Sequence, residues 1–416
     1  MLDRPPKEQE ALSWGYVVFW SALTFVTIPF VRSGVGFVRD QWGSDVFTYA
    51  VAVCVLLAMG AAFYVTRRRW TFVSVIWLVG IAGLVIYLAF GLAQGSPEEA
   101  IHYVQYGGLS LLLFRAFSHR IRDYSIYLAA TITGTLVGMI DETVQWLVPG
   151  RYFDLRDIVL NFKAVALMQV ALAAGVRPRM ISGWPGLASL RRLCYLSAVT
   201  LGYLGLCLQN TPERIAWYAA NVPGLGFVDP DRSIMVEYGY LHGDAANGFF
   251  RSRLQTDALH RASTDRAEEG RRILDQYRDR ERYQEFLVLY SPLADPFLHE
   301  ARVHLVRRDS HMRRASNAEQ SAVQARYFAT AYWENRIVEE YFGGVIEGTS
   351  YKWTAEQAAM VKAAADVSRP YHSAVSKHLI VRLERRHMAV LFVIAVGMLG
   401  LGGYACTRAL RRGRAG

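Results

Sequence analysis

Residues 46–66 read VFTYAVAVCVLLAMGAAFYVT, and residues 71–93 read TFVSVIWLVGIAGLVIYLAFGLA, with no Asp, Glu, Lys or Arg in either run. A helix rises about 1.5 Å per residue, so each run is long enough to cross roughly 30 Å of hydrocarbon. In lipid every backbone N–H and C=O must be satisfied within the segment, which selects helix over an open strand. These two runs therefore set the expected class, an all-α membrane protein. The 416-residue composition agrees: 52% hydrophobic, 20% charged, mean hydropathy +0.14. A soluble chain carries about 25% charged residues. A purely soluble enzyme, a disordered chain and a secreted disulfide scaffold are excluded. Cys54, Cys194, Cys207 and Cys406 all sit in or at the ends of apolar blocks, so they read as small apolar fillers rather than a disulfide framework or CxxC metal knuckle.

Six further blocks flank these two, at 13–31, 101–117, 124–148, 155–176, 191–208 and 388–407, giving about eight expected spans. The first is long and aromatic, with Trp14, Tyr16, Phe19 and Trp20, and is not read as a cleaved signal. Net charge is +10, yet residues 209–387 hold 25 Lys and Arg against 24 Asp and Glu. The basic excess thus lies in loops between apolar blocks, where it orients a membrane protein, and not in a nucleic-acid-binding surface. Arg67, Arg68 and Arg69 follow span two, Arg115, Arg120 and Arg122 follow span four, and Arg177, Arg179, Arg191 and Arg192 separate spans six and seven. That alternation places both termini in the cytoplasm and residues 209–387 outside. Arg382, Arg385 and Arg386 oppose it, but long translocated domains weaken the charge rule. The expected domains are a seven-helix bundle over 1–208, an extracytoplasmic domain over 209–387, a closing helix at 388–407 and a basic cytoplasmic tail at 408–416.

Chemistry-bearing residues collect in two stretches near the expected outer face, EEAIHYVQY at 98–106 and DETVQWLVPGRYFDLRDIVLN at 141–161. Glu98, His102 and Tyr106 follow one another at four-residue steps and share a helix face. Glu142 and Gln145 are three apart, Asp157 and Asn161 four apart, and Pro149-Gly150 makes the turn between their helices. Ionisable groups at such depth normally face a bundle interior or a wet cavity. One shared pocket is expected, built from Glu99, His102, Tyr106, Glu142, Gln145, Arg151, Arg156, Asp157 and Asn161.

This order and spacing resembles the VanZ-like family of bacterial membrane proteins over roughly residues 70–176. The matching positions are His102-Tyr103, Glu142, Gln145, Pro149-Gly150-Arg151, Asp157 and Asn161. One departure is Ala164, where the family often has Gly, with Lys163 beside it. The resemblance implies a cell-envelope role, linked in some members to resistance to glycopeptide antibiotics such as teicoplanin.

Three functions remain open on the sequence. The pocket binds an envelope lipid headgroup or peptidoglycan precursor, with Arg151 and Arg156 holding a phosphate or carboxylate bidentately. Alternatively it is an enzyme, with His102, oriented by Glu98 or Glu99, and the Glu142 and Asp157 carboxylates as acid and base. Alternatively the bundle is a structural anchor, in which Glu142 and Asp157 pair with Arg151, Arg156 or Lys163 across helices. The expected partner is the lipid bilayer; no cofactor and no nucleic acid are expected.

Gly134 and Gly138 form a small-xxx-small pattern read as helix packing, and Gly397, Gly400, Gly402 and Gly403 are read as docking the last helix. In 209–387, residues 229–250 read as loop-rich, and 264–290, 317–342, 353–366 and 371–387 as helical. His299-Glu300 and His304 are one residue longer than a zincin spacing, so this stretch, with His311, is read as a solvated helix beside Arg307 and Arg308 rather than a metal site.

Overall fold

The computed structural model describes residues 9–43, 45–68, 70–92, 97–149, 151–229, 233–380 and 383–415. Readings that fall on Arg69, Gly150, Pro230, Arg382 and the side chains of Glu98 and Arg414 lie outside the described residues. The chain is all-α apart from one hairpin among those residues, and it divides into two compact units, Met1–Leu208 with Ala389–Gly416, and Gln209–Met388.

The first unit holds α1 (Glu10–Trp42), α2 (Asp45–Thr66), α3 (Phe72–Leu92), α4 (Ile101–Phe117), α5 (Ser125–Trp146), α6 (Leu155–Val170) and α7 (Leu187–Cys207). A π-helical turn, Ala171–Val176, extends α6. Among the described residues five segments are long and apolar enough to cross a membrane: Glu10–Phe30, Asp45–Thr66, Phe72–Leu92, Leu155–Val176 and Arg385–Gly413. A sixth is reached only by joining α7 to the helix that follows it. Helix α4, with 17 residues, is short and interrupted by polar groups, and α5 falls short in apolarity; their surroundings bear on both. Helix α4 packs against α1, α2, α5 and α6, with Leu113 and Phe114 fully buried, and α5 buries Ile126, Ala129 and Ala130. A helix enclosed by others needs little apolar surface of its own. By contrast, α2 and α3 expose Leu57, Phe72 and Tyr87, the outward apolar surface that a bilayer requires.

Helix packing in this unit uses small residues. A Cβ on Gly134 would lie 2.8 Å from Val165, and one on Gly138 2.9 Å from Asn161. The last helix, α15 (Arg385–Ala415), meets α7 through Gly403 against Tyr195 and Phe392 against Gly205. Gly397 and Gly400 have open space beside them, so only part of the expected glycine series docks. The expected separate tail over 408–416 is a helical continuation as far as Ala415.

The second unit is built on α12 (Pro296–Ser316) and α13 (Ser321–Ile346), following α8 (Pro212–Asn221), a hairpin of β1 (Tyr240–Asp244) and β2 (Gly248–Ser252), α9 (Thr256–Asp265), α10 (Ala267–Gln276) and α11 (Tyr283–Leu289). Its short α14 is Ala355–Ala364. Phe250, Phe286, Phe297, Leu298 and Phe342 form its core.

Three expectations are corrected here. The loop-rich 229–250 contains the hairpin, whose tight end requires Gly243 at φ +96°: a Cβ there would collide with the Gly248 carbonyl at 1.9 Å. The amphipathic stretch 264–290 is three shorter helices with a break after Gln276. Residues 371–374 are extended and 375–378 form a turn, with a second bridge at Ile380; none of this stretch is helical. Phe249 N–H donates to Tyr371 O and Ser373 N–H to Phe249 O, while Ile380 N–H donates to Glu237 O. Lying alongside the hairpin satisfies that backbone better than its local helical pattern does.

Candidate functional site

Three helices build the polar cluster of the first unit. The 3-10 turn Pro97–Ala100 starts α4 and presents His102 and Tyr106 one turn apart, their rings parallel with centroids 6.0 Å apart. The C-terminal end of α5 supplies Asp141, Glu142 and Gln145. Asp154 caps α6 by accepting from Arg156 N–H at 2.7 Å, and the first turns of α6 then present Asp157 and Asn161.

The imidazole of α4 meets α6 directly: His102 Nδ1 and Asn161 Oδ1 are 2.7 Å apart. With the amide in this orientation its oxygen accepts and His102 Nδ1 donates. Tyr106 Oη donates to Asp141 Oδ2 at 2.7 Å, tying α4 to α5. Glu142 accepts from Gln145 Nε2 at 2.7 Å and from the Asp154 backbone N–H at 3.0 Å, tying α5 to the start of α6. Arg151 donates to Gln145 Oε1. Arg156 donates to Asp154 at 3.0 Å and lies 3.8 Å from Glu99. Asp157 lies within electrostatic reach of His102 and Glu99.

All nine expected residues therefore come to one region, but several partnerships differ from expectation. His102 is oriented by Asn161, since Glu99 turns to Arg156. Among the described residues neither Arg151 nor Arg156 pairs with Glu142 or Asp157: Arg151 is held by Gln145 at the end of α5, Arg156 by Asp154, and Lys163 is exposed. A bidentate phosphate clamp from these two arginines is thus not assembled. The reason is geometric: Asp154 is two residues from Arg156 and already fixed as the helix cap.

Tyr106, Glu142 and Asn161 are buried, while Glu99, His102, Arg151 and Asp157 are half-buried and form the accessible edge. Three polar atoms in the cluster are buried without a partner: Asp141 Oδ1, Asp157 Oδ1 and Asn161 Nδ2. Buried polar atoms are nearly always paired, so these three mark where the cluster's hydrogen-bonding capacity is left over.

Sequence reasoning passed over Asp141, which faces Tyr106 from the same side of α5 as Gly134 and Gly138. Their spacing of four and then three residues is the signal that finds it. It also passed over Ser110 and Gln169, which bond to each other at 2.8 Å deeper in the α4–α6 seam.

In the second unit, α12 is the buried centre and not a solvated helix. Its Glu300, Arg302, His304 and Arg308 are buried, and His304 bonds Glu334. His299 and His311 turn to the backbone carbonyls of Tyr290 and Arg307 instead, so the three histidines do not converge.

Comparison with family models, curated proteins and solved structures returns no match for this chain.

Proposed function

We propose that this chain is a VanZ-like integral membrane protein of the bacterial cell envelope. Its α4–α5–α6 cluster binds the polar headgroup of an envelope lipid or cell-wall precursor and alters its availability to glycopeptide antibiotics. The single observation carrying this reading is the set of unpartnered buried atoms beside the half-buried His102, namely Asp141 Oδ1, Asp157 Oδ1 and Asn161 Nδ2. Two are acceptors and one is a donor. With Arg151 and Arg156 already engaged, that set suits sugar hydroxyls and peptide amides better than a bare phosphate.

The proposal includes eight spans, cytoplasmic termini and residues 209–387 on the extracytoplasmic side. The enclosed, polar character of α4 and α5 supports counting them as spans, and the arginine alternation supports the orientation. The exposed Ser321 tests the orientation. A Ser321→Cys variant is expected to react with a membrane-impermeant maleimide in intact cells. Labelling only after lysis would overturn the orientation and, with it, the outward-facing site.

The binding test uses the full chain in detergent or nanodiscs. Its probe is a polyprenyl-pyrophosphate-linked disaccharide-peptide, with polyprenyl phosphate as comparison. Asp157→Asn is expected to weaken binding of the disaccharide-peptide about tenfold, or 1.4 kcal/mol, at an unchanged melting temperature; Asn161→Ala is expected to weaken it likewise and also to lower the melting temperature, because Asn161 is buried and bonded to His102. Equal binding by wild type and both variants would refute the reading, as would equal affinity for polyprenyl phosphate. Conversion of the probe by wild type, lost in Asp157→Asn without loss of binding, would replace it with the enzyme reading.

A further inference from the structure

A second feature of the first unit lies on the other side of the α4–α6 seam from the polar cluster. It is a cavity of about 720 Å³ between α1, α2, α3, α4 and the π-extended α6. Its walls are apolar almost throughout, with Ala58, Ala61, Ile81 and Met168 typical of them. On α4 the lining runs from Tyr103 to Arg115, which is about 18 Å at 1.5 Å per residue. That length is close to the hydrocarbon depth of a single leaflet, roughly 15 Å.

Charge enters at one end only. Arg115 lines the cavity there, and α2 and the π-helical turn close the same end with Val65 and Val176. Arg67 follows α2, Arg120 and Arg122 follow α4, and Arg177 follows the turn, so three helix ends at this level carry a cationic rim. Glu10 and Asp123 are acidic side chains at the same level; Glu10 is paired to Arg120, and Asp123 accepts from Ser125 and Ser189. Basic pockets between transmembrane helices are the expected seat of anionic lipid headgroups.

We propose that this cavity is a binding site for an anionic phospholipid, with one acyl chain between α2, α3, α4 and α6 and the phosphate at Arg115. The apolar walls take the chain, the length matches one leaflet, and the cationic end selects the charge.

The test is native mass spectrometry of the full chain after delipidation. The probes are phosphatidylglycerol and phosphatidylcholine with identical chains. Wild type is expected to retain one phosphatidylglycerol at least tenfold more tightly than phosphatidylcholine. Ala58→Phe with Ala61→Phe fills the space from α2, where both alanines are exposed within the isolated unit, and is expected to abolish retention of either lipid at an unchanged melting temperature. Arg115→Gln is expected to remove the preference for phosphatidylglycerol while chain binding persists. Equal retention of both lipids by wild type would overturn the proposal. So would unchanged retention in the filled variant, or a dimer mass that disappears on filling, which would make a second copy the occupant.

Discussion

Glu334→Ala is expected to destabilise the second unit by about 3–5 kcal/mol, the usual consequence of removing one member of a buried charged network. Glu334 is fully buried on α13 and accepts from four side chains. His304 Nδ1 lies at 2.5 Å and Arg307 Nε at 2.8 Å, both from α12; Tyr371 Oη lies at 2.5 Å and Ser373 Oγ at 2.8 Å, both from the extended return segment. One carboxylate thus joins two helices to the strand-like segment beside the hairpin. Truncation leaves all four donors facing an apolar gap. Amide exchange over Pro296–Ser316 in the full chain would show the loss, and exchange as slow as wild type would refute the assignment.

The same group gives the unit an acid limit. Burial pushes the Glu334 carboxyl up, but the charge and hydrogen bond of His304, with bonds from Tyr371 and Ser373, outweigh it and hold the pKa below the ordinary 4.5. A carboxylate with a depressed folded pKa stabilises above its unfolded value, and that contribution fades as pH falls through the folded one. Stability is therefore expected to drop below about pH 4.5, and Glu334→Gln to flatten that drop. Glu300 acts in the opposite sense. Burial raises its pKa against the bonds from Ser252 and the Arg253 backbone, so its contribution is present at low pH and lost as pH rises. The slope that Glu334→Gln removes is the one on the acid side of the ordinary carboxylate range.

Gly138→Leu is expected to destabilise the first unit by about 1–3 kcal/mol and to disable the polar cluster together with the packing. A Cβ alone would sit 2.9 Å from Asn161 Cβ, 3.2 Å from its amide nitrogen and 3.4 Å from the Tyr106 ring. Those two residues make the bonds that join α4 to its neighbours, to His102 and to Asp141. Leucine forces α5 away from both at once. Gly83→Leu is the control, because that glycine is exposed on α3 with nothing within 4 Å of a new Cβ. Gly138→Leu is expected to lose its cooperative melting below the control's midpoint and to fail to bind the disaccharide-peptide probe. Equal midpoints would show that α5 and α6 are not held at this contact.

Much of the cluster is legible from helical periodicity. The four-residue steps from His102 to Tyr106 and from Asp157 to Asn161 put each pair on one face, and Gly134 with Gly138 marks where α5 comes close to α6. Periodicity does not say which face meets which. Arg156 was free, on spacing, to reach Asp157; the cap at Asp154 claims it first. Glu300 and His304 look like a solvated motif on their own helix, and only the end of the hairpin at Ser252, facing Glu300, and α13, facing His304, make them a core.

By itself, the sequence determined that this is a helical protein with segments able to cross a bilayer. A run of about 20 apolar residues satisfies its own backbone and gains its transfer energy locally, without reference to any other part of the chain. Tertiary structure alone decided the partners: His102 with Asn161, Tyr106 with Asp141, Glu334 with four donors, and His372 and Ile380 bridged to Phe249 and Tyr238. A buried polar group bonds whichever partner the packing brings within about 3 Å, and that distance is set by contacts between elements far apart in the chain.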